Sequence, residues 1–135
     1  MVQSRGLGDV YKRQLDDKTD LRVTIVGGHY FAVKIVSSGR GINGDWRLHP
    51  REKTQFIDVS LDHEIVEACF RLVSSLGLKF AAIDLVETPI GTFFIEINPT
   101  GEWGWLSNEE RPIDFRIAEW LAEPPTSPTG MLKWI

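Results

Sequence analysis

Asp84, Glu96 and Asn98 are the residues whose types and spacing could do chemistry together. Lys79–Val86 and Thr92–Asn98 read as two strands joined around Pro89-Ile90-Gly91. A three-residue loop there, with Gly91 in the left-handed conformation, predicts Thr88 opposite Thr92, Val86 opposite Phe94 and Asp84 opposite Glu96. Side chains so opposed have Cβ atoms ~5 Å apart, and like charges there need a cation or a shared proton. Their mutual repulsion predicts that Asp84→Asn leaves the metal-free fold at least as stable. Asn98, two residues after Glu96, adds an amide oxygen on the same face. Two carboxylates and an amide form a hard oxygen set, suited to Mg²⁺ or Mn²⁺. Zinc fits poorly: His29, His49 and His63 lack ligand spacing, and Cys69 falls on an apolar helical stripe. The competing reading is a row of polar residues on the solvent side of a sheet.

Basic residues supply the complementary chemistry. Arg22 alternates with Leu21 and Val23, Lys34 interrupts YFAVKIV in the same way, and Arg47 follows the glycine-rich SSGRGING (Ser37 to Gly44). Cations on a sheet face or beside a loop can hold phosphate oxygens. The competing reading of each is a solvated strand or loop residue, and for Lys34 that reading is the favoured one.

These residues need a scaffold. Leu21–Val26 and Tyr30–Val36 read as strands around Gly27-Gly28, and Phe56–Val59 as a short strand. Asp62–Leu76 carries Ile65, Val66, Cys69, Phe70, Val73 and Leu76 on one helical stripe ending at Gly77, and Pro112–Leu121 reads as a second helix. Hairpins rather than helices join most strands. The expected fold is therefore α+β, a mostly antiparallel sheet with its helices on one side.

The 135 residues allow one domain. Residues 1–55 hold 10 Lys and Arg against 6 Asp and Glu, whereas residues 56–135 hold 5 against 13. The overall charge of −4 argues against nucleic-acid binding. No apolar run approaches the ~20 residues of a membrane span, and the first residues lack a secretory h-region. The single cysteine fits a reducing, cytoplasmic compartment. MVQSRGLGDVYKRQ has no sustained period, and resembles translated adapter sequence from short-read assemblies. Residues 1–14 are thus expected to be a non-native or disordered leader, 15–123 the domain, and 124–135 an irregular, proline-containing tail.

The ordered set D-L-R (Asp20–Arg22), D-W-R (Asp45–Arg47), Asp84 and E-I-N-P (Glu96–Pro99) resembles the C-terminal part of ATP-grasp ligases. FIEINPTGEWGWL (Phe94–Leu106), with Trp103 and Trp105, is most similar to microviridin-type maturases of ribosomal peptides. Ribosomal-protein glutamate ligases and glutathione synthetases are similar too. The resemblance implies a truncated C-terminal lobe of a ligase that uses ATP and Mg²⁺ (or Mn²⁺). A peptide carboxylate becomes an acylphosphate, and an amine or hydroxyl then displaces phosphate. It further implies that Asp84, Glu96 and Asn98 hold the metal, that Arg22 and Arg47 are catalytic, and that Arg22, Lys34 and Arg47 bind the cofactor. Trp103 and Trp105 either line the peptide site or pack under the last helix. The implied partners are ATP and a peptide, and homo-oligomerisation stays open. With the adenine-binding hinge and the other lobe's lysines absent, the chain alone is expected to be inactive. The rival reading is a non-catalytic α+β module whose acidic patch binds a cation.

Overall fold

The computed structural model describes residues 17–123, so the expectations for 1–14 and 124–135 lie outside the described residues. The strands are β1 (Thr19–Val26), β2 (His29–Ser37), β3 (Arg40–Gly41), β4 (Gln55–Asp58), β5 (Phe80–Thr88) and β6 (Gly91–Asn98). Two helices accompany them, α1 (His63–Ser75) and α2 (Ile113–Ala122). The strands form one antiparallel sheet in the order β3-β2-β1-β5-β6, and β4 also pairs with β2. The α+β antiparallel architecture agrees with the sequence reading.

Local chemistry accounts for the turns. Val26 pairs with His29 around a two-residue turn in which Gly27 has φ +58°. Ser38 and Gly39 both adopt positive φ and fold Arg40–Gly41 back onto β2, making a short strand of what the sequence suggests is a flexible loop. Gly77 ends α1 at φ +69°.

Alternation on β1 divides the molecule into two layers. Leu21, Val23 and Ile25 face α1 and pack with Cys69, Val73, Ile83 and Leu85. Asp20, Arg22, Thr24 and Val26 face the other way. There Val26 and Val33 pack with Leu106 and with Ile113 of α2, flanked by Phe56, Trp103 and Trp105. The two helices therefore lie on opposite faces, not on one side. The segment after β6 folds back across the second face because its tryptophans and Leu106 need burial, and it carries α2 with them.

Burial by the 101–112 segment is stitched by Arg111, which donates from Nε to the Leu106 carbonyl at 2.6 Å and from Nη1 to Asp58 at 2.7 Å. Gly101 is required where this segment crosses the sheet, because a Cβ there would lie 2.3 Å from the Ala82 Cβ. On the outer strand, Phe93, Phe94 and Ile95 remain exposed. No helix among the described residues is long and apolar enough to cross a membrane.

Candidate functional site

The β5–β6 hairpin differs from expectation at its turn and agrees at its base. Thr88 pairs with Gly91, so the loop has two residues, Pro89 and Ile90, and Gly91 opens β6 at φ +145° rather than in the left-handed helical region. Val86 consequently opposes Phe93, and Leu85 opposes Phe94. A register shift between Asp84 and Leu85 then brings Asp84 directly opposite Glu96. Asn98 follows two residues on, opposite Ala82.

Two arginines already contact these acids. Arg22, paired with Asp84 across β1 and β5, donates from Nε to Oδ1 at 2.7 Å and from Nη2 to Oδ2 at 3.5 Å. Its Nη1 reaches the Glu102 carbonyl at 3.4 Å. Arg47 donates from Nη2 to Asp84 at 2.8 Å and to Glu96 at 3.2 Å. Asp45 caps the short 3₁₀ turn Trp46–Leu48, accepting from the Arg47 backbone N–H at 3.0 Å and from its Nη1 at 3.3 Å. That backbone hydrogen bond, ahead of the guanidinium, lowers the Asp45 pKa. Burial works against the Arg47 charge, but Asp84, Asp45 and Glu96 together outweigh it and raise the guanidinium's pKa.

Beside this cluster lies a cavity of about 500 Å³. Arg22, Arg47 and Arg51 line it with Glu96, Asn98 and Glu102. An aromatic wall closes one side: the Trp105 ring lies 4.6 Å from Phe56 and 5.8 Å from Trp46. Trp105 thus both packs in the core of the second face and lines the cavity, whereas Trp103 is only in that core.

The structure brings Arg22, Arg47, Asp84, Glu96 and Asn98 to one region and leaves Lys34 out. Lys34 pairs with Leu21, on the α1 face of the sheet, so the sheet separates it from Arg22 and Asp84. Both faces of β2 carry apolar neighbours, so alternation alone could not say which face Lys34 occupies. Sequence reasoning also missed the part-buried Lys18–Asp20 ion pair, which adjoins the site at the start of β1. Burial raises the Asp20 pKa despite the Lys18 ammonium. Its only sequence signal is the Lys-x-Asp-x-Arg alternation of Lys18, Asp20 and Arg22.

Solved structures resemble this fold. The macrocyclase MdnC from Microcystis aeruginosa MRC, solved bound with precursor peptide MdnA, is 32% identical over 78% of this chain and 34% of its own, with a TM-score of 0.62. A Chryseobacterium gregarium RiPP-associated ATP-grasp ligase, solved with ADP and a leader and core peptide, is 31% identical over 82% of this chain and 35% of its own, with a TM-score of 0.70. This chain has the fold of part of an ATP-grasp ligase. Macrocyclase MdnB from the same Microcystis strain is 30% identical over 78% of the chain and 31% of its own, with a TM-score of 0.61. The chain spans about a third of the length of these relatives. The resemblance read from D-L-R, D-W-R and E-I-N-P is thereby borne out. No protein-family model and no curated protein matches the chain.

The donor set of this site fits a hard divalent cation. Asp84 and Glu96 present opposed carboxylates that already share a positive group, and Asn98 lies on the same hairpin. Among the described residues no group of three or more His, Cys, Asp or Glu could hold a metal ion; Mg²⁺ takes one or two carboxylates and keeps several waters. The Asn98 Oδ1 accepts from the Thr100 backbone N–H at 2.9 Å, which fixes the amide's orientation.

Proposed function

We propose that this chain supplies the metal- and phosphate-facing surface of an ATP-dependent ligase that joins a peptide carboxylate to an amine or hydroxyl. The observation that carries this reading is the cluster in which Arg22 and Arg47 converge on Asp84 and Glu96 at the edge of the aromatic-walled cavity. Likeness to solved RiPP-associated ligases at 30–32% identity supports it.

Asp84, Glu96 and Asn98 would hold Mg²⁺, which, when bound, neutralises phosphate charge during transfer. Arg47 sits where it can move from the carboxylates to a phosphate oxygen, since its two partners stand on adjacent strands and its own loop is anchored by Asp45. Arg22 is less free: buried and held to Asp84, it orients that carboxylate and presents a fixed positive field to the substrate acid. Attack of the peptide carboxylate on the γ-phosphate of ATP would release ADP and form an acylphosphate, from which an amine or hydroxyl, losing its proton, would displace phosphate. The wall formed by Trp46, Phe56 and Trp105 limits water on one side of this centre.

Calorimetry with ADP tests the reading. Heat of nucleotide binding is expected with Mg²⁺ or Mn²⁺, is expected to vanish in EDTA, and is expected to be lost in Glu96→Gln. Equal nucleotide binding with and without metal would overturn the reading, and cation binding with no nucleotide dependence would favour a non-catalytic cation-binding module.

A further inference from the structure

We propose that Arg51, stacked on Trp105, is a specificity-determining residue that holds a second, non-reacting carboxylate of the peptide. The inference rests on the ligase reading above and extends it to substrate choice.

Three arginines line the cavity, and they differ in what they have left to bind. Arg22 is committed to Asp84, and Arg47 to Asp45, Asp84 and Glu96. Arg51 is exposed and has no carboxylate within ion-pair distance among the described residues. Glu102, on the same cavity, makes no ion pair with it.

The position of Arg51 is nevertheless defined. It begins the 3₁₀ turn Arg51–Lys53 after Pro50, and Thr54 locks that turn by donating from Oγ1 to the Pro50 carbonyl at 2.9 Å and from its N–H to the Arg51 carbonyl at 3.1 Å. The guanidinium carbon lies 5.8 Å from the Trp105 ring centroid. The same ring lies 5.9 Å from the guanidinium carbon of Arg22. One indole is therefore shared by a cation built into the reacting cluster and a cation with its hydrogen-bonding capacity unspent. Contact with an aromatic ring restrains a guanidinium while its N–H groups stay available for a bidentate carboxylate. A carboxylate held by Arg51 is bound by a group that contacts neither Asp84 nor Glu96. It is thus positioned without being activated, and it fixes the peptide's register against the wall that leads to Arg22.

The probes are acetylated, amidated hexapeptides carrying one glutamate, or two glutamates separated by one, two or three alanines. Tryptophan fluorescence reports binding in the presence of Mg·ADP. The best two-glutamate peptide is expected to bind the wild type roughly fivefold tighter than the one-glutamate peptide. Arg51→Gln is expected to erase that advantage while leaving one-glutamate binding and Mg·ADP binding unchanged, and Arg51→Lys to restore only part of it. Absence of the advantage in the wild type, an equal loss for both peptides in Arg51→Gln, or weakened Mg·ADP binding in that variant would overturn the proposal; the last would make Arg51 a phosphate ligand. Mg·ADP calorimetry on the wild type separates the two readings: nucleotide binding without a two-glutamate advantage sinks this inference alone, whereas an Arg51-dependent advantage without nucleotide binding counts against the ligase.

Discussion

A single guanidinium nitrogen, Nη2 of Arg47, lies within hydrogen-bonding distance of both Asp84 and Glu96, at 2.8 and 3.2 Å. With Arg22 on the other side of Asp84, the opposed carboxylates are neutralised from within the chain. This reverses the expectation that their repulsion burdens the metal-free fold. Asp84→Asn should destabilise, because it leaves the buried Arg22 guanidinium without its charged partner. A loss of about 3 kcal/mol is expected in urea denaturation without divalent metal. Unchanged or increased stability would show that the ion pairs carry no net weight.

Gly101 and Gly104 make a matched pair of tests. A Cβ at Gly101 would lie 2.3 Å from the Ala82 Cβ, whereas nothing lies within 4 Å of a Cβ at Gly104. Gly101→Ala should cost about 1–3 kcal/mol and shift the tryptophan emission as the segment bearing Trp103 and Trp105 lifts from the sheet. Gly104→Ala should do neither. Equal effects of the two substitutions in thermal melts and emission spectra would contradict the packing described.

Thr24 Oγ1 is buried with no hydrogen-bond partner among the described residues. Thr24→Val exchanges that hydroxyl for a methyl of nearly the same shape. It should raise stability by about 1 kcal/mol, since it removes a desolvation cost with no bond to lose. Chemical denaturation that shows a loss instead would mean the hydroxyl has a partner in solution.

Two aspartates should act on the pH profile in opposite directions. Burial raises the folded-state pKa of Asp20, so its contribution favours folding at low pH and is lost as pH rises from the ordinary carboxylate range through the raised value. Wild-type stability minus that of Asp20→Asn should therefore fall over that interval. Asp114 is the reverse: its hydrogen bond from Ser107, at 2.8 Å, and the Phe115 N–H lower its pKa. Its contribution is present above the ordinary carboxylate range and lost as pH falls through the lowered value. Asp114→Asn should weaken the acid side of that dependence. Denaturation midpoints across the acid range, with slopes of either sign opposite to these, would refute the assignments.

Much of the fold was legible because burial is periodic. The stripe from Ile65 to Val73 identifies α1, and the apolar run Leu21–Val26 identifies β1. The side on which each residue lies was harder to read. Central strands here bury both faces, so Lys34 could not be distinguished from Arg22 by alternation. The site was legible in its residue types but not in its charge balance. Arg47 reaches Asp84 from a loop 37 positions earlier, and Arg111 reaches Asp58 across 53. Such contacts depend on how the chain folds back on itself, which local spacing does not encode.

The register shift beside Asp84 acts as a parity correction. With Thr88 opposite Gly91, an unbroken ladder would place Ile95, not Glu96, across from Asp84. Glu96 would then point to the opposite side of the sheet. One extra residue on β6 restores the match, and one extra residue in the turn would restore it equally well. The two carboxylates are thus tied to an odd or even count between them rather than to any particular loop. A single-residue deletion anywhere from Pro89 to Ile95 flips one acid away unless the ladder loses its irregularity in compensation, whereas a two-residue change preserves the pairing.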